Sequence, residues 1–261
     1  MNVTGGIEMV NNGISYQIIG ASTPCVEVML DSHETVIAEA GAMNYFDAGV
    51  SFKVTLGDGS EEGQGLFGKV FSAAKRALSN ESLFITHFTN NSTRFCKVSF
   101  SAPYPGEIVP IDLATLGGKV YCQKNAFLCG TLGTKLSMAF SKKMGAGFFG
   151  GEGFILQKLE GQGTAFIHAG GSIVEKVLNS ENDTIYVETG SLVGFSEGVE
   201  FDIEATTSLK SFLFGGEGLY LTKLSGRGKV WIQAMPFNRL TGILYESLRG
   251  RFKEDFKTGT K

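Results

Sequence analysis

Few residues of this sequence have the types and spacing that catalysis requires. The three histidines lie at non-equivalent places in three related segments of the chain: His33, His87 and His168. Three glutamates do recur at matching places: Glu81, Glu152 and Glu217. No base recurs beside them, and general acid–base catalysis needs one within hydrogen-bond reach. We therefore interpret the histidines as exposed or hydrogen-bonded, and the glutamates as acceptors for turn N–H groups or cations. No catalytic residue, metal ligand or cofactor is predicted, and the chain is not expected to be an enzyme.

Two glycine-rich stretches match nucleotide-binding patterns in their letters only. Gly145 to Gly150 fits GxGxxG, but a strand pattern follows it, whereas a dinucleotide fingerprint opens a helix. Gly63 to Lys69 fits GxxxxGK, yet Val70 stands where a Ser or Thr would bind magnesium. We interpret both as chance matches.

One repeated feature could bind an anion. Lys158 and Lys223 occupy matching places, and His87 takes that place in the first segment. A symmetric assembly would multiply them into a ring of positive charge for RNA phosphates or a small anion. Aromatic platforms do not recur beside them, and a solvated lysine needs no ligand, so anion binding remains the alternative interpretation.

A duplication organises the rest of the chain. The stretch FFGGEGFILQKLEGQGTAFIHA at 148–169 recurs without a gap as LFGGEGLYLTKLSGRGKVWIQA at 213–234, an offset of 65. A more divergent copy comes first, where Gly49 matches Gly133 at an offset of 84 and a later stretch from Glu81 matches at 71. The first copy therefore carries 13 extra residues, and repeats of this size are typical of units that cover one another. We predict a lead-in at 1–21, repeats at 22–105, 106–170 and 171–235, and a tail at 236–261.

Short alternating apolar runs separated by glycines predict an all-β fold. In the second repeat these runs are 108–113, 119–123, 135–140, 154–159 and 164–169, and in the third they include 173–178 and 184–188 as two separate strands. Glycine in regular structure costs roughly 0.5–1 kcal/mol relative to alanine, so the matching glycine-rich segments predict structural turns or close backbone approach. The turn candidates are Gly150, Gly151, Glu152, Gly153, Gly215, Gly216, Glu217 and Gly218.

Two segments have a helical pattern instead. In GQGLFGKVFSAAKRALSNES, the insertion region of the first repeat, Leu66, Val70 and Ala73 fall near one face. We expect a short helix over the end of a sheet, the alternative being a docking or membrane-surface helix. In the tail, Leu240, Ile243, Leu244 and Leu248 form an apolar stripe. It is expected to pack on a neighbouring subunit, with peripheral contact to an anionic membrane as the alternative.

Composition narrows the class of protein further. Lys and Arg number 23 and Asp and Glu number 26, for a formal charge of -3, which argues against a general nucleic-acid binder because such binding needs clustered cations. The four cysteines have no CxxC spacing and are expected to be reduced. No basic and apolar leader opens the chain and no apolar run nears the ~20 residues of a membrane helix. A cytoplasmic protein is expected.

The quoted repeats, with GLFGKVFSAAKRALSNESLFITHFTN and the AEAGAM and VETGSLVGF strands, resemble an uncharacterised bacterial and archaeal family related to the altered-inheritance-of-mitochondria proteins. The resemblance spans about residues 14–235. It implies a fold similar to the tryptophan RNA-binding attenuation protein. Each of three repeats would be a short double-stranded β-helix or sandwich in a pseudo-threefold arrangement, and the chain would form homotrimers. No catalytic residue is implied. We therefore expect a non-enzymatic, ring-forming scaffold or interaction protein, or else a receptor for a small anion or RNA.

Overall fold

The structure is a computed structural model, which describes residues 8–9, 14–56, 84–142, 153–205 and 220–258. These residues form strands and one α-helix, joined by turns and two short 3-10 turns. The strands are β1 (Glu8–Met9), β2 (Ser15–Ile19), β3 (Cys25–Leu30), β4 (Thr35–Glu39), β5 (Met43–Phe46), β6 (Val50–Leu56), β7 (Phe84–Asn90), β8 (Cys96–Ser101), β9 (Gly106–Asp112), β10 (Lys119–Gln123), β11 (Phe127–Thr131), β12 (Lys135–Lys142), β13 (Phe154–Glu160), β14 (Thr164–Gly170), β15 (Ile173–Glu188), β16 (Leu192–Ser196), β17 (Val199–Ala205) and β18 (Tyr220–Gln233). The helix α1 spans Phe237–Thr258.

The predicted β class is confirmed, and burial explains which strands the sequence pattern reveals best. In β10, Val120 and Cys122 are buried while the residues between them are partly exposed, the period-two pattern of a strand with one covered face. Every residue of β11, β14 and β16 is buried, because both faces of these strands are covered. Such strands read as continuous apolar runs.

The strands form three antiparallel sheets. The five-stranded sheet has the order β1-β2-β3-β8-β5, and the six-stranded sheet has the order β6-β7-β4-β11-β14-β9. In the seven-stranded sheet the order is β12-β13-β10-β16-β18-β15, with β17 also paired to β18.

Strand pairing follows one scheme in three successive segments. In the first, β8 pairs β3 and β5 while β7 pairs β4 and β6. In the second, β14 pairs β9 and β11 while β13 pairs β10 and β12. In the third, the two halves of the single strand β18 take the places that β7 and β8 have in the first, and they pair β15, β16 and β17.

Three hydrophobic cores hold the sheets together. The first joins Val28 and Phe100 of the five-stranded sheet to Phe88 and Phe166 of the six-stranded sheet. The second joins Ile37 and Ile111 of the six-stranded sheet to Val120 and Trp231 of the seven-stranded sheet. The third lies within the seven-stranded sheet, which folds over Phe195, Leu224 and Val230. The sheets are therefore covered in succession along the chain.

Two predicted features differ from the structure in extent. The segments 173–178 and 184–188, expected as separate strands, are one strand, β15, whose register shifts between Asn179 and Thr184. The C-terminal helix is confirmed, but it is a helix of 22 residues and longer than the short helix predicted. The helix predicted in the insertion region of the first repeat lies outside the described residues.

Candidate functional site

The three residues predicted to bind an anion occupy equivalent places on three different strands. His87 on β7 lies opposite Ile37, Lys158 on β13 opposite Tyr121, and Lys223 on β18 opposite Tyr186. Each has its own local neighbours.

Their local contacts differ from one another. The Lys158 Nζ is 2.9 Å from the Glu160 Oε2, with both side chains about two-thirds buried. The His87 Nδ1 is 3.3 Å from the Thr55 Oγ1. Lys223 on β18 lies opposite Asp202 on β17. A carboxylate therefore already neutralises the charge of Lys158 within the chain.

Of the eight predicted turn residues, the described part of the chain includes only Gly153. It is buried and has a φ of 85°, a left-handed conformation that favours glycine. The other seven lie outside the described residues.

A buried carboxylate on the five-stranded sheet lies at the centre of a polar cluster. Glu27 is only 4% exposed and accepts hydrogen bonds from the Gln17 Nε2 at 2.6 Å, the Lys97 Nζ at 2.7 Å and the Tyr45 hydroxyl. We call these four residues the Glu27 cluster. Burial by itself raises the pKa of Glu27, but the donors from Lys97, Tyr45 and Gln17 outweigh it and hold the pKa below its usual value. The same hydrogen bond raises the pKa of Tyr45 to about 12.

A second cluster has the same layout at the other end of the chain. The Glu175 carboxylate accepts from the Trp231 Nε1 at 3.0 Å and the Lys229 Nζ at 2.8 Å, and we call these three residues the Glu175 cluster. Glu27 lies opposite Ser99, two positions after Lys97. Glu175 lies opposite Trp231, two positions after Lys229. Both ion pairs thus occupy matching places in the strand pairing.

The offsets between the repeated sequence segments missed this match, because the number of residues between β7 and β8 differs from that between β13 and β14. The offset of 71 that aligns β7 with β13 aligns Lys97 with His168, whereas the pairing scheme matches Lys97 with Thr164. The turn between β7 and β8 is correspondingly longer than that between β13 and β14. The polar run Asn90 to Arg94 was the available signal for an insertion at that turn.

Two buried polar side chains stand in contrast to these clusters. The amide of Gln157 and both ring nitrogens of His168 have no hydrogen-bond partner of normal geometry. Burial lowers the pKa of His168 to about 4, although the nearby backbone of Tyr104 offsets part of the effect. The ring of His168 packs edge-on against that of Tyr104, which stacks on Phe237 of α1. The interpretation of all histidines as exposed or hydrogen-bonded is therefore wrong for His168.

An open groove of about 600 Å³ lies beside β15 and β18. Two cations on its wall or beside it already have carboxylate partners: Lys229 pairs with Glu175 and Lys119 with Glu197 at 2.9 Å. A third, Arg227, donates from its Nε to the Asn179 carbonyl at 3.0 Å. The groove thus offers an anion little uncompensated charge.

Neither a metal centre nor a membrane span is found in the described part of the chain. No three of its His, Cys, Asp and Glu side chains are grouped to hold a metal ion. All four cysteines are free, and three of them are buried. None of its helices combines the length and apolarity needed to cross a membrane.

Two sheet edges are the remaining feature with binding capacity. Successive segments are joined by antiparallel pairing of β4 with β11 and of β10 with β16, and we call this pairing the internal joint. In the second joint Tyr121 stacks on Phe195 with 5.2 Å between ring centroids. In the first segment the strand equivalent to β11 and β16 is β5. In the third segment the strand equivalent to β4 and β10 is the 184–188 half of β15.

Both of these strands are open on one side. Within the described residues, β5 pairs only β8, and β15 pairs only β18. Both strands carry large apolar residues that are exposed: Met43 at 41%, Tyr45 at 42% and Tyr186 at 56%. An open edge with exposed apolar side chains is a template for pairing with another strand.

The comparisons with known proteins agree with this fold. A crystal structure of protein SPYM3_0169 from Streptococcus pyogenes is similar over 90% of this chain and 99% of that chain, with a TM-score of 0.68 and 23% sequence identity. At that identity the likeness shows the fold alone. No curated protein matches the sequence. The family model described as mitochondrial biogenesis AIM24 matches residues 16–235. The chain therefore belongs to the mitochondrial biogenesis AIM24 family.

Proposed function

We propose that this protein is a non-enzymatic scaffold that assembles into a closed ring of three chains, each built from three tandem β repeats. The repeats are those bounded at 22–105, 106–170 and 171–235, and each is a small sandwich like the attenuation-protein subunit. The ring offers binding partners a rigid, symmetric surface.

The observation that carries this proposal is the internal joint. It occurs twice in the chain with the same strand order. A third copy would need β5 from the first segment and the 184–188 half of β15 from the third. The pairing scheme that recurs in three segments supports the tandem repeats. The matching ion pairs of the Glu27 and Glu175 clusters support them independently.

The helix α1 supplies a second contact between subunits. Ile243, Leu244 and Tyr245 lie on it and are each more than half exposed. Burying such side chains stabilises an interface by roughly 25 cal/mol per Å² of apolar area. In the assembly this surface packs on the neighbouring chain.

Binding of a small anion or RNA by His87, Lys158 and Lys223 is the alternative function. Its support is the equivalent placement of the three residues, which a ring would repeat. The ion pair of Lys158 with Glu160 weakens it, because a bound phosphate would have to displace that carboxylate.

The oligomeric state tests the proposal directly. Light scattering coupled to size exclusion should give three times the chain mass of 27.9 kDa at micromolar concentration. A monomer under those conditions would contradict the scaffold. Affinity capture of the native assembly would then identify the proteins or lipids that it holds, and Lys158→Glu with Lys223→Glu should leave the capture unchanged unless the anion alternative is correct.

A further inference from the structure

We propose that the chains are held together by a third copy of the internal joint, formed in trans. In it β5 of one chain pairs antiparallel with the 184–188 half of β15 of the next. This inference rests on the proposed ring and names the surface that closes it.

The two internal joints fix the register of the third. In the first joint Ile37 lies opposite Gly130, and in the second Tyr121 lies opposite Phe195. These pairs differ by the repeat offsets of 84 and 65. Applying the same offsets to the chain ends places Phe46 opposite Tyr186. The adjacent pairs are then Tyr45 with Val187 and Asp47 with Ile185.

The side chains at this register suit a joint. Tyr121 stacks on Phe195 in the second joint, and the third joint places Tyr186 against Phe46, again a tyrosine and a phenylalanine. Phe46 already contacts the rings of Phe52 and Phe88, so the added ring would extend an existing aromatic cluster. Aromatic pairs of this kind contribute about 0.5–1.5 kcal/mol beyond the area that they bury.

The backbone of the two segments also suits pairing. Neither 43–47 nor 184–188 contains proline, so every residue keeps the N–H that a strand ladder requires. Pairing would continue the order β17-β18-β15 into β5-β8-β3. The six-stranded sheet within the chain has the corresponding order, β6-β7-β4 followed by β11-β14-β9.

A second copy of this chain is the occupant that the geometry favours. The two open edges are complementary to each other, and neither is complementary to itself at the joint register. Two different patches that pair head to tail generate a ring when the rotation closes. Nine repeats around a ring correspond to about 40° between neighbours. Pairing of the two edges within one chain would instead leave no edge for a partner.

Cysteine cross-linking tests the joint and its register. In a Cys25→Ser background, which removes the partly exposed native thiol, we would oxidise Phe46→Cys with Tyr186→Cys and, separately, Asp47→Cys with Ile185→Cys. Neighbouring antiparallel pairs alternate in backbone bonding, so the two variants cover both geometries. Covalent dimers and trimers that disappear on reduction are expected.

The matched control is Phe46→Cys with Lys176→Cys, because Lys176 is exposed on the other half of β15. This variant should remain monomeric on a denaturing gel. Mixing the two single variants Phe46→Cys and Tyr186→Cys should give covalent dimers. A fast-migrating monomer from the double variant would show pairing within one chain and would overturn the inference.

A charge at the joint tests the same surface without cross-linking. Tyr186→Asp should convert the trimer to monomers, whereas Val174→Asp, on the same strand but outside the joint, should leave it intact. Tyr186 is exposed in the single chain, and circular dichroism would confirm that the variant is folded. A trimer that survives Tyr186→Asp and forms no cross-links would overturn this joint but leave the ring scaffold standing. A monomeric wild type would remove the ring scaffold itself.

Discussion

The Glu27 and Glu175 clusters occupy matching places in the strand pairing, yet they differ in surroundings. Each carboxylate accepts one hydrogen bond from a lysine ammonium and one from an aromatic side chain. Glu27 is almost fully buried, whereas the side chains of Glu175 and Lys229 are each 41% exposed. Water can solvate both members of the second pair, whereas in the first it reaches the side chain of Lys97, which is 46% exposed, but not the carboxylate. The carboxylate of Glu27 should therefore contribute more to stability than that of Glu175.

The largest expected effect is at Glu27. Glu27→Ala should lower the free energy of unfolding by about 2 kcal/mol, because it removes a buried carboxylate that accepts three hydrogen bonds, while the partly exposed Lys97 and Tyr45 can turn to water. Denaturant unfolding of the variant would measure the loss. The pKa of Glu27 is held low in the folded state, so the wild-type advantage should shrink as pH falls below the ordinary value of 4.5. A loss below about 1 kcal/mol would put Glu27 in the class of surface pairs.

Two ionisable groups whose pKa values are shifted by burial extend the comparison to pH. Burial lowers the pKa of His168 from 6.5 to about 4, so the unfolded chain binds more protons between these values and the unfolding free energy falls as pH drops. Burial raises the pKa of Glu39 from 4.5 to about 7 despite the charge of Lys124. The folded chain then binds more protons, and the unfolding free energy falls as pH rises.

These two effects should nearly cancel between pH 4.5 and 6.5. His168→Leu should therefore give a stability that falls with rising pH, and Glu39→Gln one that rises, each with a slope of up to about 1.4 kcal/mol per pH unit. Unfolding curves at several pH values would measure both slopes. Identical slopes in the two variants would contradict the assignment.

A second pair of matching positions should separate satisfied from unsatisfied polar groups. Gln157 and Thr222 are 65 positions apart on β13 and β18, and both are buried. The Thr222 hydroxyl donates to the Thr189 Oγ1 at 3.1 Å, whereas the Gln157 amide has no partner. Gln157→Met should stabilise the protein by about 1 kcal/mol, and Thr222→Val should destabilise it by about the same amount. Thermal melts would detect both shifts, and a destabilised Gln157→Met would indicate a buried water on that amide.

The smallest expected effect is at Glu175, the more exposed of the two carboxylates. Glu175→Ala should lower the unfolding free energy by roughly 0.5–1 kcal/mol, chiefly through the lost acceptor for Trp231. High salt should reduce the difference further, because exposed ion pairs are screened. A loss equal to that of Glu27→Ala would show that burial does not decide the contribution of these clusters.

The sequence by itself determined the β class, the family, the positions of most strands and the helical tail. Each of these depends on local alternation, turn residues or similarity along the chain, and β10 was predicted to the residue because one face is covered and the other is not. The equivalent places of His87, Lys158 and Lys223 also followed from the offsets alone.

Only the tertiary structure decided which polar residues meet. The Glu27 cluster draws its members from four strands separated by up to 80 positions, and an insertion at one turn concealed its match to the Glu175 cluster. Burial of His168 depends on Tyr104 and Phe237, and neither has a pattern that points to it. Local sequence fixes which backbone segments extend into strands, but long-range packing fixes which side chains lose water and which sheet edges stay open.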